Sequence, residues 1–280
     1  MKFLVVIFVV FLCFTRISQL VLAAETSISC GELLKQIVVE NDFGSSSGKA
    51  VNRGSLEYFE NFGEEFVNRV VDKASSADHV MDMGAGNAIF ARDLAGQTPG
   101  DYGQQPRLQK RILDAIPKVT AISYKTQHPI SNFDGFTLLT GRFFEDIPSE
   151  ELIQSYGEVS VFTDFWGVMA YTKTPHLVLK KVLKIAQNDF IYFLKVSSVR
   201  SSLNDSTVLL QNGVEISLVD WFKTIPGLEI SMINLESFGE AIAITANNKE
   251  FVEIPLLELI SINDNVMPPA RKFKVVVGKI

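Results

Sequence analysis

The chain has 280 residues, of which 47% are apolar and 21% are charged, enough for one large α/β domain with a buried core. Its formal net charge of −6 at pH 7 disfavours nucleic-acid partners, because binding to phosphates needs exposed Lys and Arg. Its two cysteines and three scattered histidines disfavour a disulfide framework and a zinc site, so no metal is expected.

The first 23 residues have the pattern of a secretory signal peptide. Lys2 provides a short positive region, twelve apolar residues follow from Phe3 to Phe14, and small residues surround Ala23. Twelve helical residues rise only about 18 Å, which is too short for a hydrocarbon core of about 30 Å. We therefore expect cleavage near Ala23 and export to the periplasm or out of the cell. The alternative is an uncleaved signal anchor; no other segment is predicted to span a membrane.

Cleavage would also change the composition of the mature protein. Removing the two positive charges of Lys2 and Arg16 would take the formal net charge from −6 to −8. Removing Cys13 would leave Cys30 as the single cysteine, so no internal disulfide could form and the role of Cys30 stays open.

Residues 24–76 are predicted to form an N-terminal helical arm, and residues 77–280 are predicted to form the α/β domain. Apolar residues recur at helical spacing within Cys30–Glu40 and again from Ser55 to about Lys73. Gly44–Gly48, between these helices, formally matches a hydrolase turn and part of a P-loop. We reject both interpretations, because no apolar strand precedes the glycines and Ala50 replaces the hydroxyl residue of a P-loop.

From His79 onward, short apolar runs typical of strands alternate with segments at helical spacing. This alternation predicts a Rossmann-like, doubly wound α/β domain with a mainly parallel seven-stranded sheet and an N-terminal helical extension. Phe251–Val277 is expected to add strands at a sheet edge. The predicted strands are His79–Met83, Val119–Ser123, Phe136–Thr140, Val159–Thr163, Phe190–Val196, Leu228–Ile233 and Ala241–Ala246; the predicted helices are Asn87–Leu94, Leu108–Ile116, Pro175–Ala186 and Leu218–Thr224.

The turn from Asp82 to Gly86 follows the first predicted strand directly. Open parallel sheets bind ligands beyond the carboxyl ends of their strands, and glycines let the backbone approach a ligand closely. A dinucleotide-binding turn would need a glycine or an alanine where this chain has Ile89. The turn therefore predicts a nucleoside-containing cofactor other than NAD.

Four segments of the chain resemble motifs of class I S-adenosylmethionine-dependent methyltransferases. Val80–Phe90 looks like the first motif of that family, and Thr140–Pro148 looks like the segment after its third strand. Val161–Val168 looks like the fourth strand with its terminal motif, and Val178–Leu194 looks like the helix and fifth strand that follow. The resemblance covers nearly the whole half of the domain that would hold the cofactor.

The resemblance implies S-adenosylmethionine as the cofactor and assigns places to particular residues. The glycine turn would face the methionine part of the cofactor, residues after the third strand would flank the adenine, and the end of the fourth strand would lie near the reacting methyl group. Asp164 is the candidate for a general base. The predicted cofactor-binding residues are Asp82, Gly84, Ala85, Gly86, Asn87, Ser123, Arg142, Phe143 and Asp164.

Three positions depart from the family pattern. Ser123 stands where an acid would hold the ribose hydroxyls, and Arg142 stands where an acid would follow the glycine of the third motif. Serine lacks the bidentate geometry of a carboxylate, so Ser123→Asp is expected to tighten cofactor binding. Ala88 replaces the third glycine of the first motif, which we expect to be a mild change.

The sequence therefore predicts an exported S-adenosylmethionine-dependent methyltransferase that acts on a small molecule or a protein. The alternative is a non-catalytic binding protein on a methyltransferase-like scaffold, which is favoured by Ser123 and by export away from the cytosol, where the cofactor is made. A third possibility is action inside another cell after export. The substrate, the final compartment and the oligomeric state do not follow from the sequence.

Several of these side chains have a structural alternative to a functional role. Asp82 could be a turn carboxylate without a ligand, and Asp164 could cap the following helix. Trp166 and Tyr171 could line a substrate pocket or pack in the core. His176 is expected at the surface or in a loop.

Overall fold

The structure is a computed structural model that describes residues 53–75, 78–95, 118–126, 129–195, 207–235, 239–265 and 268–276. The predicted signal peptide, the arm up to residue 52 and the predicted helix Leu108–Ile116 lie outside the described residues. Among the helices within them, none has both the length and the apolar character that crossing a membrane requires.

The described residues form one large sheet and one small sheet. In chain order the strands are β1 (His79–Asp82), β2 (Lys118–Ser123), β3 (Phe136–Thr140), β4 (Val159–Phe165), β5 (Ala186–Lys195), β6 (Thr207–Gln211), β7 (Val214–Ser217), β8 (Leu228–Leu235), β9 (Gly239–Ala246), β10 (Leu256–Asn263) and β11 (Ala270–Val276).

The large sheet has seven strands in the order β3-β2-β1-β4-β5-β9-β8, which confirms the predicted seven-stranded, mainly parallel sheet. β1 to β5 pair in parallel, whereas β9 pairs antiparallel with β5 and with β8. The first five strands therefore follow the order of a Rossmann sheet, in which the direction of winding reverses between β1 and β4. This reversal fixes where a ligand would sit.

Helices cover both faces of the large sheet, as expected for a doubly wound domain. Every residue of β1 and β4 is buried, because both faces of these central strands are covered. α1 and α2 share an aromatic-rich core on one face, whereas α3, α5 and α6 contribute to the core on the other. The helices are α1 (Ser55–Ser75), α2 (Ile89–Leu94), α3 (Ser149–Tyr156), α4 (Val168–Tyr171), α5 (Pro175–Ile185) and α6 (Leu218–Lys223).

The small sheet corrects the expectation that Phe251–Val277 extends the large one. Its order is β10-β11-β6-β7, and β11 pairs in parallel with β6. Along β11, buried Arg271, Phe273 and Val275 alternate with the more exposed Lys272 and Lys274. A strand with one polar face suits a sheet that is covered on one side, so it pairs here rather than in the doubly covered sheet.

Two turns explain further differences from the predicted boundaries. α2 begins at Ile89 rather than Asn87, because Gly86 and Ala88 adopt left-handed conformations with φ of 55° and 54°. The hairpin of β6 and β7, absent from the prediction, turns at Asn212 and Gly213, whose φ values are 52° and 81°. This is the type I′ geometry that an Asn-Gly pair favours, so the hairpin could have been predicted from Asn212 and Gly213.

Candidate functional site

The candidate site lies at the carboxyl edge of the large sheet, where the strand order reverses between β1 and β4. The register of the sheet brings the predicted segments together there, because Asp82 of β1 lies beside Ala121 of β2 and Thr163 of β4. The carboxyl ends of β1, β2, β3 and β4 and the loops that follow them therefore share one edge, and together they carry all the residues predicted to bind the cofactor.

The glycine turn after β1 packs directly against the loop after β4. The amide of Ala85 donates to the carbonyl of Ile122 at 3.1 Å, and the amide of Ala88 donates to the carbonyl of Ala85 at 2.7 Å. A Cβ added to Gly84 would lie 2.3 Å from the Cα of Gly167. Glycine is therefore required at Gly84 by a backbone contact within the protein, in addition to any approach of a ligand.

Asp82 is fully buried beneath this turn, and its hydrogen bonds go to protein groups. The Tyr58 hydroxyl lies 3.0 Å from each carboxylate oxygen, and the Thr163 hydroxyl donates to Oδ1 at 3.0 Å. Burial raises the pKa of Asp82 from 3.8 to about 7, although the two hydrogen bonds favour the charged form and oppose this shift. Asp82 thus joins α1, β1 and β4, which supports its interpretation as a turn carboxylate.

Tyr58 is a site residue that the sequence analysis missed. Its ring stacks on Phe90 at a centroid distance of 4.0 Å and meets Phe165 edge-on at 5.3 Å. Burial, followed by the charge of Asp82, raises the pKa of Tyr58 well above its ordinary value, so the phenol remains a proton donor. Helical periodicity predicted α1, but no local signal predicts that Tyr58 would reach Asp82.

Ser123, one of the predicted cofactor-binding residues, hydrogen-bonds to the glycine turn. Its hydroxyl lies 2.6 Å from the carbonyl oxygen of Gly86 and 3.1 Å from that of Lys125. One hydroxyl hydrogen can serve only one of these acceptors at a time. Because the side chain is only 5% exposed, its donor is committed to the backbone.

Arg142 and Phe143, after β3, lie on the open part of the edge. The Arg142 guanidinium binds both carboxylate oxygens of Glu151, with the Nη2 to Oε2 distance at 3.0 Å. Phe143 stacks face to face on Tyr124, with a centroid distance of 4.3 Å and an interplanar angle of 4°. Tyr124 is 54% exposed and was not predicted as a site residue, although it follows Ser123 directly.

Asp164 accepts hydrogen bonds from the backbone at the start of α4, as a capping carboxylate does. Its carboxylate accepts hydrogen bonds from the amides of Gly167 and Met169, each at 2.7 Å, and from the Tyr192 hydroxyl at 3.1 Å. Burial raises its pKa, whereas these hydrogen bonds, the Met169 amide foremost, favour the charged form. Asp164 therefore fixes the turn from β4 into α4, and each of its two oxygens accepts at least one hydrogen bond from the protein.

The segment after β4 has a strained backbone at Trp166, and two positively charged side chains, Arg53 and Lys195, lie in or near it. Trp166 has a φ of 51°, a left-handed conformation that is rare for a bulky residue, and its amide donates to the carbonyl of Lys195 at 3.1 Å. Arg53 lies over the rings of Phe165 and Trp166, at 4.6 and 5.6 Å from the centroids. Lys195 is 1% exposed, and burial lowers its pKa to about 8. Neither Arg53 nor Lys195 was predicted.

The two histidines within the described residues, His79 and His176, are both buried. His79 Nε2 lies 2.8 Å from the Thr120 hydroxyl, and burial lowers the pKa of His79 to about 4. His176 is only 3% exposed near the start of α5, which corrects its expected surface position. Within the described part of the chain, no three His, Cys, Asp or Glu side chains are grouped so that they could hold a metal ion.

Comparisons with solved structures give remote similarities, including the two that follow. No protein-family model and no curated protein matches the chain. A hemolysin candidate from Lactococcus lactis has a TM-score of 0.34 and 10% identity, over 68% of this chain and 91% of that chain. A precorrin-6y C5,15-methyltransferase from Geobacter metallireducens has a TM-score of 0.30 and 10% identity, over 66% of this chain and 88% of that chain. The Rossmann-like assignment therefore depends on the strand order of the sheet itself.

Proposed function

We propose that the carboxyl edge of β1 to β4 binds the nucleoside of S-adenosylmethionine, and that the protein is an exported methyltransferase acting on a small molecule or a protein. The observation that carries this proposal is the parallel ring pair formed by the exposed Tyr124 and the partly buried Phe143 beside the glycine turn. The motifs resembling class I methyltransferases supply the expected cofactor, and the acidic composition disfavours a nucleic-acid substrate.

The ring pair is suited to take a third planar ring. With a centroid distance of 4.3 Å the two rings contact each other, and a base between them would need about 7 Å, or two contacts of about 3.5 Å. Both rings come from loops after strands, so side-chain rotation can supply this opening. Stacking of a base on an aromatic ring contributes about 1–3 kcal/mol and the ring pair that opening would remove contributes roughly 0.5–1.5 kcal/mol, so the exchange is favourable at the midpoints of the two ranges.

A second candidate function is a non-catalytic binding protein on the same scaffold. The observation that favours it is the internal bonding of four predicted polar anchors: Asp82, Ser123, Arg142 and Asp164 all hydrogen-bond to protein groups. A ligand would then be held by ring stacking and by the backbone of the glycine turn. Such a site would recognise a nucleoside without a carboxylate to grip the ribose.

Calorimetric titration with S-adenosylhomocysteine and with 5′-methylthioadenosine tests the binding step. We expect micromolar affinity for the wild type and an affinity reduced by about 5- to 150-fold in Tyr124→Ala and in Phe143→Ala, corresponding to about 1–3 kcal/mol. Phe251→Ala is the matched control, because Phe251 is 80% exposed and lies outside both the Tyr124–Phe143 ring pair and the glycine turn. No binding at millimolar nucleoside, or equal losses in all three variants, would contradict the proposal.

Transfer of a labelled methyl group separates the two candidates. The mature protein is incubated with S-adenosylmethionine labelled in the methyl group and with a cell extract, and label is followed into small molecules and proteins. Transfer that Tyr124→Ala reduces supports the methyltransferase. Binding without any transfer supports the non-catalytic alternative. N-terminal sequencing of the secreted chain tests export, for which a chain still beginning at Met1 would contradict cleavage near Ala23.

A further inference from the structure

Arg53 is held rigidly at the carboxyl edge, directly before α1. One guanidinium N–H donates to the carbonyl of Phe165, and the guanidinium lies over the Phe165 ring. The backbone around it is fixed as well, because the amide of Phe90 donates to the Arg53 carbonyl at 3.1 Å and the Ser55 hydroxyl donates to Asp93 at 3.0 Å. The position of the guanidinium is therefore set in advance.

The charge of Arg53 has no carboxylate partner among the described residues. In contrast, Arg142 is paired with Glu151, and Arg271 donates to the carbonyls of Met169 and Thr172. A guanidinium has five N–H donors, and one of those on Arg53 is used. The residue is half-buried, and none of its side-chain nitrogens is both buried and unbonded, so any donor that lacks a protein partner is accessible to solvent.

The surroundings of Arg53 are those of a binding position. Its guanidinium bonds to the Phe165 carbonyl at the end of β4 and its backbone carbonyl accepts from Phe90 of α2, and its positive charge favours the charged forms of Asp82 and Asp164. Trp166, the second ring beneath it, keeps a left-handed backbone that costs on the order of 1–3 kcal/mol in a non-glycine residue. Strain of this kind persists where the surrounding fold enforces it, and here it places an indole beside the cation.

We propose that Arg53, backed by Phe165 and Trp166, is the recognition group for a ligand carboxylate at this edge. A guanidinium binds a carboxylate through two parallel N–H···O bonds, and the planar fork suits Arg better than Lys. The inference rests on the proposed function, because the carboxylate would belong to one of its two ligands. These are the amino-acid end of the cofactor and the molecule that accepts the methyl group. Both sources present the same chemistry to Arg53.

Two ligand pairs identify the source of the carboxylate. S-adenosylhomocysteine carries the carboxylate and 5′-methylthioadenosine lacks it, so a cofactor role predicts that Arg53→Gln weakens the first about tenfold or more and leaves the second unchanged. Benzoate and benzyl alcohol probe an acceptor role. In that case the wild type prefers benzoate, Arg53→Gln loses the preference, and the affinity for S-adenosylhomocysteine is unchanged. Either result supports the proposal.

The controls separate failure of this inference from failure of the proposed function. Lys184→Gln removes one positive charge from an exposed ion pair on α5 and is expected to change none of these affinities. Arg53→Lys keeps the charge without the fork and is expected to give an intermediate loss; it replaces Arg53→Gln if that variant does not fold. Unaltered binding of all four probes in a folded Arg53 variant overturns the inference. Absence of nucleoside binding in the wild type instead refutes the proposed function and leaves the benzoate comparison as the test of Arg53.

Discussion

Gly84→Ala tests the contact between the glycine turn and the loop after β4. The new Cβ would lie 2.3 Å from the Cα of Gly167 and 3.2 Å from its nitrogen. An ordinary contact between carbon atoms is about 3.5–4.0 Å, so two backbone segments would have to separate by more than about 1 Å. Overpacking in a core costs about 1–3 kcal/mol, and we expect a value near about 3 kcal/mol because neither segment can rotate away.

Two glycine variants provide the scale for this measurement. Gly54→Ala would place its Cβ 3.6 Å from Ile89 Cγ2, an ordinary contact, and should change stability by less than about 0.5 kcal/mol. Gly141→Ala meets no atom within 4 Å but must adopt a φ of 72°, which costs about 1–2 kcal/mol. Urea unfolding followed by circular dichroism gives the three free energies, and at about 2–4 °C per kcal/mol Gly84→Ala should lower the Tm by about 6–12 °C. A Gly84→Ala protein as stable as Gly141→Ala would refute the backbone contact.

Three further predictions concern the side chains beneath and beside the turn. Because burial raises the pKa of Asp82 from 3.8 to about 7, its contribution to stability is fully present below about pH 4 and is lost as the pH rises through about 7. Asp82→Asn removes this titration, so the difference in unfolding free energy between wild type and variant should change with pH by up to about 1.4 kcal/mol per pH unit; a pH-independent difference would contradict this. Tyr58→Phe removes a hydrogen bond that favours the charged carboxylate, so it should destabilise the fold more at pH 8 than at pH 5, and equal losses at both would argue against the pairing. Ser123→Asp would set a carboxylate against the Gly86 carbonyl, so we expect a loss of about 1–3 kcal/mol in stability and weaker nucleoside binding; a higher affinity by calorimetry would restore the sequence-based expectation.

The strands that hold the candidate site could be predicted from the sequence because their signals are local. β1 and β4 carry apolar residues at adjacent positions, Val80 with Met81 and Val161 with Phe162, so both faces of each strand are apolar, as strands covered on both faces require. The turn after β1 was found from its glycines and from the apolar strand before it. These features depend on neighbouring residues, and the structure places both strands where the pattern predicts them.

The roles of individual side chains could not be predicted in the same way, because their partners are distant in the chain. Tyr58 lies 24 positions from Asp82, and Arg53 lies 112 positions from the carbonyl of Phe165. Ser123 has the polar side chain that a ligand would need, but its hydrogen bond to Gly86 depends on how the turn approaches β2. Sequence patterns locate such residues at the correct edge without showing which way each donor points.

The contacts of Arg271 imply an order in which the protein can be completed during its synthesis. This residue of β11 donates to the carbonyls of Thr172 and Met169, which lie 99 and 102 positions earlier. All seven strands of the large sheet precede it in the chain, so that sheet can assemble while the carbonyls at the end of α4 still lack this donor. Contacts between such distant positions form late, because a long loop must close first. We therefore expect the segment after β4 to gain its contacts with Arg271 only when β11 has paired with β6. In a growing chain, the large sheet would form before the candidate site is complete.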